Sequence, residues 1–166
     1  IKTNAIAREV GAPLLALNEP RYNLIWRWPE FDIFPATAEE GIGNVTFSPL
    51  GHGVLAGIYK PGEDAPAGTR AADAGSNELT KKLYYNEERK RQAQELVRLA
   101  EGLGVTAAEL AIAWCLQHPQ VTSVIVGAWS VAELESDLRA EALEVPDDVM
   151  ERLCALYPAR MGVPQV

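Results

Sequence analysis

The chain has 166 residues, 48% hydrophobic and 23% charged, which is enough for one core and argues against wholesale disorder. Its net charge of −8 argues against a nucleic-acid surface, which needs clustered Lys and Arg. The basic run Arg89-Lys90-Arg91 follows Glu87-Glu88 and reads as a mixed, solvated helix face. No apolar run reaches the roughly 20 residues needed to span a bilayer, and no membrane partner is expected. The opening IKTNAIAREVG lacks the apolar stretch of a signal peptide. It starts at Ile1 rather than Met, as expected of a trimmed sequence. Cys115 and Cys154 have no CxxC or metal spacing, so reduced thiols, a cytoplasmic location and no metal are expected.

In chain order, residues 3–10 read as the end of a helix, stopped by Gly11 with Pro13 beyond it. The apolar residues 14–18 read as a buried first strand, ending at Asn18-Glu19-Pro20. NLIWRWPEFDIF is aromatic and irregular up to Pro35, and ATAEEG is a short helix. Val45-Thr46-Phe47 is a second strand, followed by Ser48-Pro49-Leu50 and a glycine-rich GHGVLAGIY. Residues 60–79 are polar and rich in Gly, Pro and Ala, and read as a long exposed loop. One long helix is predicted over about 80–103, with Ala93, Leu96, Val97, Ala100 and Leu103 on a single face and Gly102 and Gly104 as its stop. Thr106 and Glu109 form a capping box for the next helix, where Trp114 and Cys115 read as core. Val121–Val126 is a third strand, running into Gly127-Ala128. Ser130 and Glu133 form a second capping box for a helix over 131–140. Pro146-Asp147-Asp148 opens a last helix to about 156, and the tail PARMGVPQV is irregular. Three short strands alternating with helices are the pattern of parallel β/α units, with residues 1–166 as a single domain.

In such folds chemistry gathers just after the strands. There the stretches ALNEPRYNLIWR, TFSPLGHGVLAGIY, TAAELAIAWCLQHPQVTSVIVGA and VAELESDLRA stand in order. Together they resemble the C-terminal half of aldo-keto reductases, in the subgroup related to bacterial glyceraldehyde-3-phosphate reductases and potassium-channel β subunits. The likeness runs from about residue 5 to 156. It implies an α/β fold, part of a (β/α)8 TIM barrel with about three parallel strands and flanking helices, where a whole barrel needs ~250 residues. Such a sheet is open unless paired with another chain, so a homodimer, or pairing with a missing N-terminal half, is expected.

The resemblance also implies a nicotinamide cofactor, NADP or NAD, and carbonyl reduction of a small-molecule substrate. The family's catalytic Asp, Tyr, Lys and His come from its first four strands, and no stretch here corresponds to them. For cofactor binding it implicates Phe47 under the nicotinamide, Ser48 and Leu50 along ribose and pyrophosphate, Arg70 closing over the cofactor, and Gly127 and Ala128 in a turn that brings a helix N-terminus to a phosphate. Several positions depart from the family. Glu19 replaces the Gln that bonds the nicotinamide amide, Ile58 replaces a Lys, and Trp129 replaces a small polar residue. Glu133 replaces the Arg or Gln at the 2′-phosphate, and Asp137 replaces the Asn at the adenine. These carboxylates predict weak NADP(H) binding and a smaller penalty for NAD(H).

Glu19 and His52 are the candidate catalytic residues, as acid/base groups in the barrel mouth. The plainer expectation pairs Glu19 with Arg21 or Arg27 and leaves His52 idle in an exposed loop. Tyr22, Trp26, Trp28, Trp129 and Asp137 are the candidate substrate contacts. Against this, Trp26, Trp28, Phe31 and Phe34 could cover an open sheet, Phe47 and Trp129 could simply pack, Glu133 could serve only its capping box, and Asp137 could pair with Arg139. Alongside the reductase reading stand a shortened barrel doing non-redox acid/base chemistry (a lyase, isomerase or cyclase) on a small hydrophobic substrate, and a non-enzymatic scaffold.

Overall fold

The computed structural model describes residues 1–75 and 77–161. Three parallel strands lie in the order β1-β2-β3, with β1 at Leu17–Asn18, β2 at Gly43–Phe47 and β3 at Ser123–Ile125. Leu17 is in register with Gly43, and Phe47 with Ile125. Seven α-helices surround them among the described residues: α1 Lys2–Val10, α2 Ile33–Glu40, α3 Asn77–Leu83, α4 Glu87–Gly102, α5 Ala107–Leu116, α6 Val131–Arg139 and α7 Asp147–Leu156. Sequential parallel strands joined through helices are barrel units, and here the sheet does not close. No single helix among the described residues is long and apolar enough to cross a membrane.

The two sides of the sheet differ. On β2 the side chains of Asn44 and Thr46 are buried, while Val45 and Phe47 are only half covered. Asn44 faces the helices. Its amide donates to Thr37 Oγ1 of α2 at 2.7 Å and to the Gln120 carbonyl at 2.9 Å, and its oxygen accepts from Asn18 at 3.2 Å. One buried amide thus ties all three strands' surroundings together. The core on this side joins Tyr22, Phe34, Leu110, Ile112, Trp114 and Cys115 to Leu96 of α4 and Leu153 of α7. Tyr22 stacks on Trp114 with centroids 5.1 Å apart and meets Phe34 edge-on at 4.9 Å. Trp114 and Cys115 are core, as their helical spacing predicts, and both cysteines are free. Burial pushes the Cys115 thiol up, away from reactivity.

Several predicted elements are corrected. The first strand is shorter than 14–18 and is not buried: Leu14 and Leu15 are exposed, and Leu17 is 55% exposed. Of these leucines only Leu17 pairs in the sheet, in register with Gly43. Helix α2 begins at Ile33, ahead of Pro35, because proline is tolerated in a first turn whose N–H groups need no helical partner. The aromatic stretch before it holds a 3-10 turn at Trp28–Glu30. The single helix over 80–103 is two. Asn86 is extended and its side chain accepts from the Arg89 N–H, which starts α4 afresh after α3. The predicted apolar face of α4 buries Ala93, Leu96 and Ala100, and the helix ends at Gly102.

Helix α3 also shortens the expected loop of 60–79 from its far end. That loop is anchored, since Tyr59 and Ala71 are buried and the Ala71 N–H donates to Tyr59 Oη at 3.3 Å. The Thr106–Glu109 capping box forms on both sides. At α6 only half a box forms: Ser130 accepts from the Glu133 N–H, but the Glu133 carboxylate accepts from Trp129. The third strand is trimmed to Ser123–Ile125. Of the tail, residues 162–166 lie outside the described residues.

Candidate functional site

A cavity of about 990 Å³ opens beyond the C-terminal ends of β2 and β3, between the 48–70 segment and the starts of α5 and α6. This is where parallel α/β sheets place ligands. Phe47 and Ile125, paired across β2 and β3, form part of its floor.

The turn after β2 is built on uncommon backbone. Ser48 and His52 both have positive φ, at 59° and 58°, and Gly51 between them has 51°. Non-glycine residues take this conformation only where their surroundings impose it. Here Asn23 donates to the Ser48 carbonyl at 2.7 Å, and the Tyr84 ring lies where a Gly51 Cβ would stand, 3.2 Å away. His52 is half buried, packs on Tyr84 with ring centroids 5.0 Å apart, and shares a hydrogen bond with Thr80 Oγ1 at 2.9 Å. Burial, with the charges of Arg70 and Arg21, pushes its imidazole below the usual histidine range, toward the neutral form. His52 is therefore not the fully exposed histidine that a loop position suggests.

Phe47, Ser48, Leu50, Arg70 and Gly127 line the cavity, while Ala128 does not. Of the two candidate acid/base residues, His52 lines it and Glu19 does not. Glu19 is exposed at the end of β1. Nor does Glu19 make the ion pair expected with Arg21 or Arg27. Arg27 instead grips Glu30 through Nε at 2.7 Å and a terminal nitrogen at 2.9 Å. Among the candidate substrate contacts, Trp129 and Asp137 line the cavity, and Tyr22, Trp26 and Trp28 do not. Tyr22 is a core residue whose hydroxyl donates to Glu30 at 2.8 Å. The aromatic stretch divides: Phe34 is core, Phe31 is exposed, and Trp26 lies beneath the guanidinium of Arg21 at 4.8 Å.

The part of the lining that comes from α6 is acidic. Trp129, 84% exposed, stands at the cavity rim beside Glu133 and Asp137. Arg139 pairs with Glu109 at 2.7 Å, and not with Asp137, the partner that the sequence suggests. Asp137 is only 7% exposed, and no hydrogen bond or ion pair reaches its carboxylate from the described residues. Burial and the carboxylates of Glu133 and Glu109 push its carboxyl up. Glu109 goes the other way. Burial opposes its charge, but the Thr106 N–H, Arg139 and Ser136 outweigh that and hold it below the usual carboxylate range. At the α6 N-terminus the Glu133 carboxylate takes the Trp129 N–H at 2.7 Å, so an internal anion already sits where a ligand phosphate would dock.

A nicotinamide dinucleotide therefore meets two different environments. Phe47, Ser48, Leu50 and Arg70 offer a ring, polar atoms and a cation, which fit its nicotinamide and pyrophosphate. Glu133 and Asp137 do not fit an additional phosphate at the adenosine end. Sequence reasoning found part of the lining and missed other residues, Tyr59, Thr106 and Ser136 among them. Thr106 is the N-cap of α5, which reads as structural because helix starts need one, and Ser136 lies inside α6, where its hydroxyl donates to Glu109 at 3.1 Å. Among the described residues, no group of three His, Cys, Asp or Glu side chains is placed to hold a metal ion.

Comparison with known proteins identifies the family. Residues 4–158 match the aldo/keto reductase family. The chain is 36% identical over 125 residues to a probable voltage-gated potassium channel subunit beta of Arabidopsis thaliana, covering 75% of this chain and 38% of that protein. It is 32% identical over 138 residues to the L-glyceraldehyde 3-phosphate reductase of Escherichia coli strain K12, covering 81% and 39%. It is 28% identical over 162 residues to the uncharacterized oxidoreductase YrpG of Bacillus subtilis, covering 98% and 46%. The chain thus spans less than half the length of these curated relatives. With nearly its whole length matched and the strand–helix order of a barrel segment in place, this chain belongs to the aldo/keto reductase family.

Proposed function

We propose that this chain forms the nucleotide-binding part of a carbonyl reductase, and that it takes NAD(H) in preference to NADP(H). The observation that carries the reading is the charge of the cavity lining, to which the segment after β2 contributes Phe47, Ser48 and the cation Arg70, and α6 contributes the carboxylates Glu133 and Asp137. When bound, the dinucleotide supplies hydride. The chain's own residues bind and orient it: Phe47 offers a stacking face, Arg70 a counter-charge, and the neutral His52 a polar wall. The acid that protonates the carbonyl oxygen comes from residues outside these 166. A 2′-phosphate would bring negative charge to two carboxylates, one of them almost buried and unpaired among the described residues, whereas a ribose hydroxyl can donate to them.

The test is a fluorescence titration, with Trp129 at the cavity rim as reporter. NADH should bind at micromolar concentration and NADPH about tenfold more weakly. Asp137→Asn with Glu133→Gln should narrow that gap. Absence of binding at millimolar nucleotide would overturn the reading for this chain.

The reading includes a cover for the open side of the sheet, either a second copy or a segment supplying the remaining strands. Leu17, 55% exposed, and Ile125, 45% exposed, support it. Sedimentation as a lone 18.1 kDa species would contradict it. The acid/base alternative has less support, because Glu19 does not share the cavity that His52 lines.

A further inference from the structure

Next to Phe47 lies a cation that pairs with no anion among the described residues. Arg21 is fixed by backbone pairing with β2: it forms an isolated parallel bridge with Phe47, and the Phe47 N–H donates to the Pro20 carbonyl at 3.1 Å. Its guanidinium carbon lies 4.8 Å from the ring centre of Trp26 and 5.6 Å from that of Phe47. Its Nε is buried and has no hydrogen-bond partner among the described residues. No ion pair to Arg21 occurs among the described residues. Arg8, Arg27, Arg98 and Arg139, by contrast, each hold a carboxylate.

Two aromatic faces hold the guanidinium plane in place, but they do not replace the in-plane hydrogen bond that its buried Nε–H lost on leaving water. A planar fork held this way, in no ion pair among the described residues, is suited to recognition of an oxyanion. The surrounding field agrees, since Arg21 and Arg70 both act on His52 as positive charges. Hydrophobic cover alone would not need a charged group at this position. A Met or Leu would pack on Trp26 without the desolvation cost.

We propose that Arg21 is a specificity-determining residue that binds the oxyanion of an anionic substrate, a carboxylate or phosphate carried by the small molecule that sits beside Phe47. The anion site stands on Arg21 itself. Only the statement that its ligand is a substrate rests on the carbonyl-reductase reading.

The experiment titrates the full chain with inorganic phosphate and, separately, with malonate, following tryptophan fluorescence and the Nε–H resonance of Arg21. Saturable binding is expected, tighter for whichever of the two oxyanions the site serves. Arg21→Gln should weaken it roughly 10–100-fold. Arg21→Lys, which keeps the charge but loses the fork, should fall between. NADH affinity, measured in the same samples, should change by less than about twofold, since Arg21 does not line the nucleotide cavity. If NADH does not bind but the oxyanion still depends on Arg21, the site stands and the nucleotide reading falls. The proposal is overturned if neither anion saturates, if Arg21→Gln leaves binding unchanged, or if the same variant loses NADH and oxyanion together, because Arg21 would then serve the dinucleotide's own phosphate. Should Arg21→Gln fail to fold, Arg21→Lys and the Nε–H shift decide, and an unshifted resonance at saturating anion counts against the site.

Discussion

The helix-covered side of the sheet and its opposite side are made from the same strands yet obey different rules. On the covered side, Asn44 satisfies its amide through Thr37 and the Gln120 carbonyl, and Tyr22 and Trp114 stack in a closed core. On the other side, Leu17, Phe47 and Ile125 present apolar faces that no residue of this chain fully covers. A strand alternates its side chains, so one short segment can be finished on one face and unfinished on the other. The comparison separates what this chain stabilises by itself from what it offers to something else.

The largest expected effect lies on the covered side. Trp114→Ala removes the ring that stacks on Tyr22 and lies 5.2 Å from the Arg27 guanidinium. It should cost about 3–5 kcal/mol of unfolding free energy, read from the urea midpoint at constant slope. A loss below about 1 kcal/mol would mean that the covered side is no better packed than the open one.

The covered side also has a flaw, and it sharpens the contrast. Thr46 Oγ1 is buried with no hydrogen-bond partner among the described residues, two residues from the well-satisfied amide of Asn44. A hydroxyl in that position loses its water without recovering a bond. Thr46→Val keeps the branched shape and should raise stability by about 1 kcal/mol. If stability falls instead, the Thr46 hydroxyl has a partner, and the covered side is polar by design at two adjacent inward positions rather than one.

How much of this was legible before the fold was known follows the same division. The covered side was readable. Helical spacing placed Ala93, Leu96, Ala100 and Trp114 inward, and Thr106 with Glu109 marked a helix start that forms as a full box. Those signals are local, and a single chain satisfies them. The open side misled in one specific way: Leu14, Leu15 and Leu17 read as a buried strand because an apolar run carries no record of whether its cover is present. The site was legible in the strand ends, where Phe47, Ser48 and Leu50 line the cavity. It was illegible where partners come from far along the chain. Arg27 was claimed by Glu30, leaving Glu19 exposed, and Arg139 was claimed by Glu109, leaving Asp137 alone. Spacing nominates charges for pairing, but it cannot say which of two nearby carboxylates the fold will bring to an arginine.

The smallest effect on stability is expected on the open side, and it carries the sharpest test of the comparison. Leu17 lies in β1 opposite Gly43, and its 55% exposure means that little apolar area is removed from water there in this chain. Leu17→Gln should therefore change the unfolding free energy of the isolated chain by less than about 0.5 kcal/mol, despite placing a polar group on a barrel strand. In an assembly that covers this face the same change puts an amide into an apolar interface, where an unpaired polar group costs several times more. Near-neutral stability in dilute solution, together with lost association at high concentration, is the expected pair of results, read by denaturation and sedimentation on the same samples. A large loss of stability in the monomer would show that Leu17 already packs against something in this chain, and the two sides would then differ in degree rather than in kind.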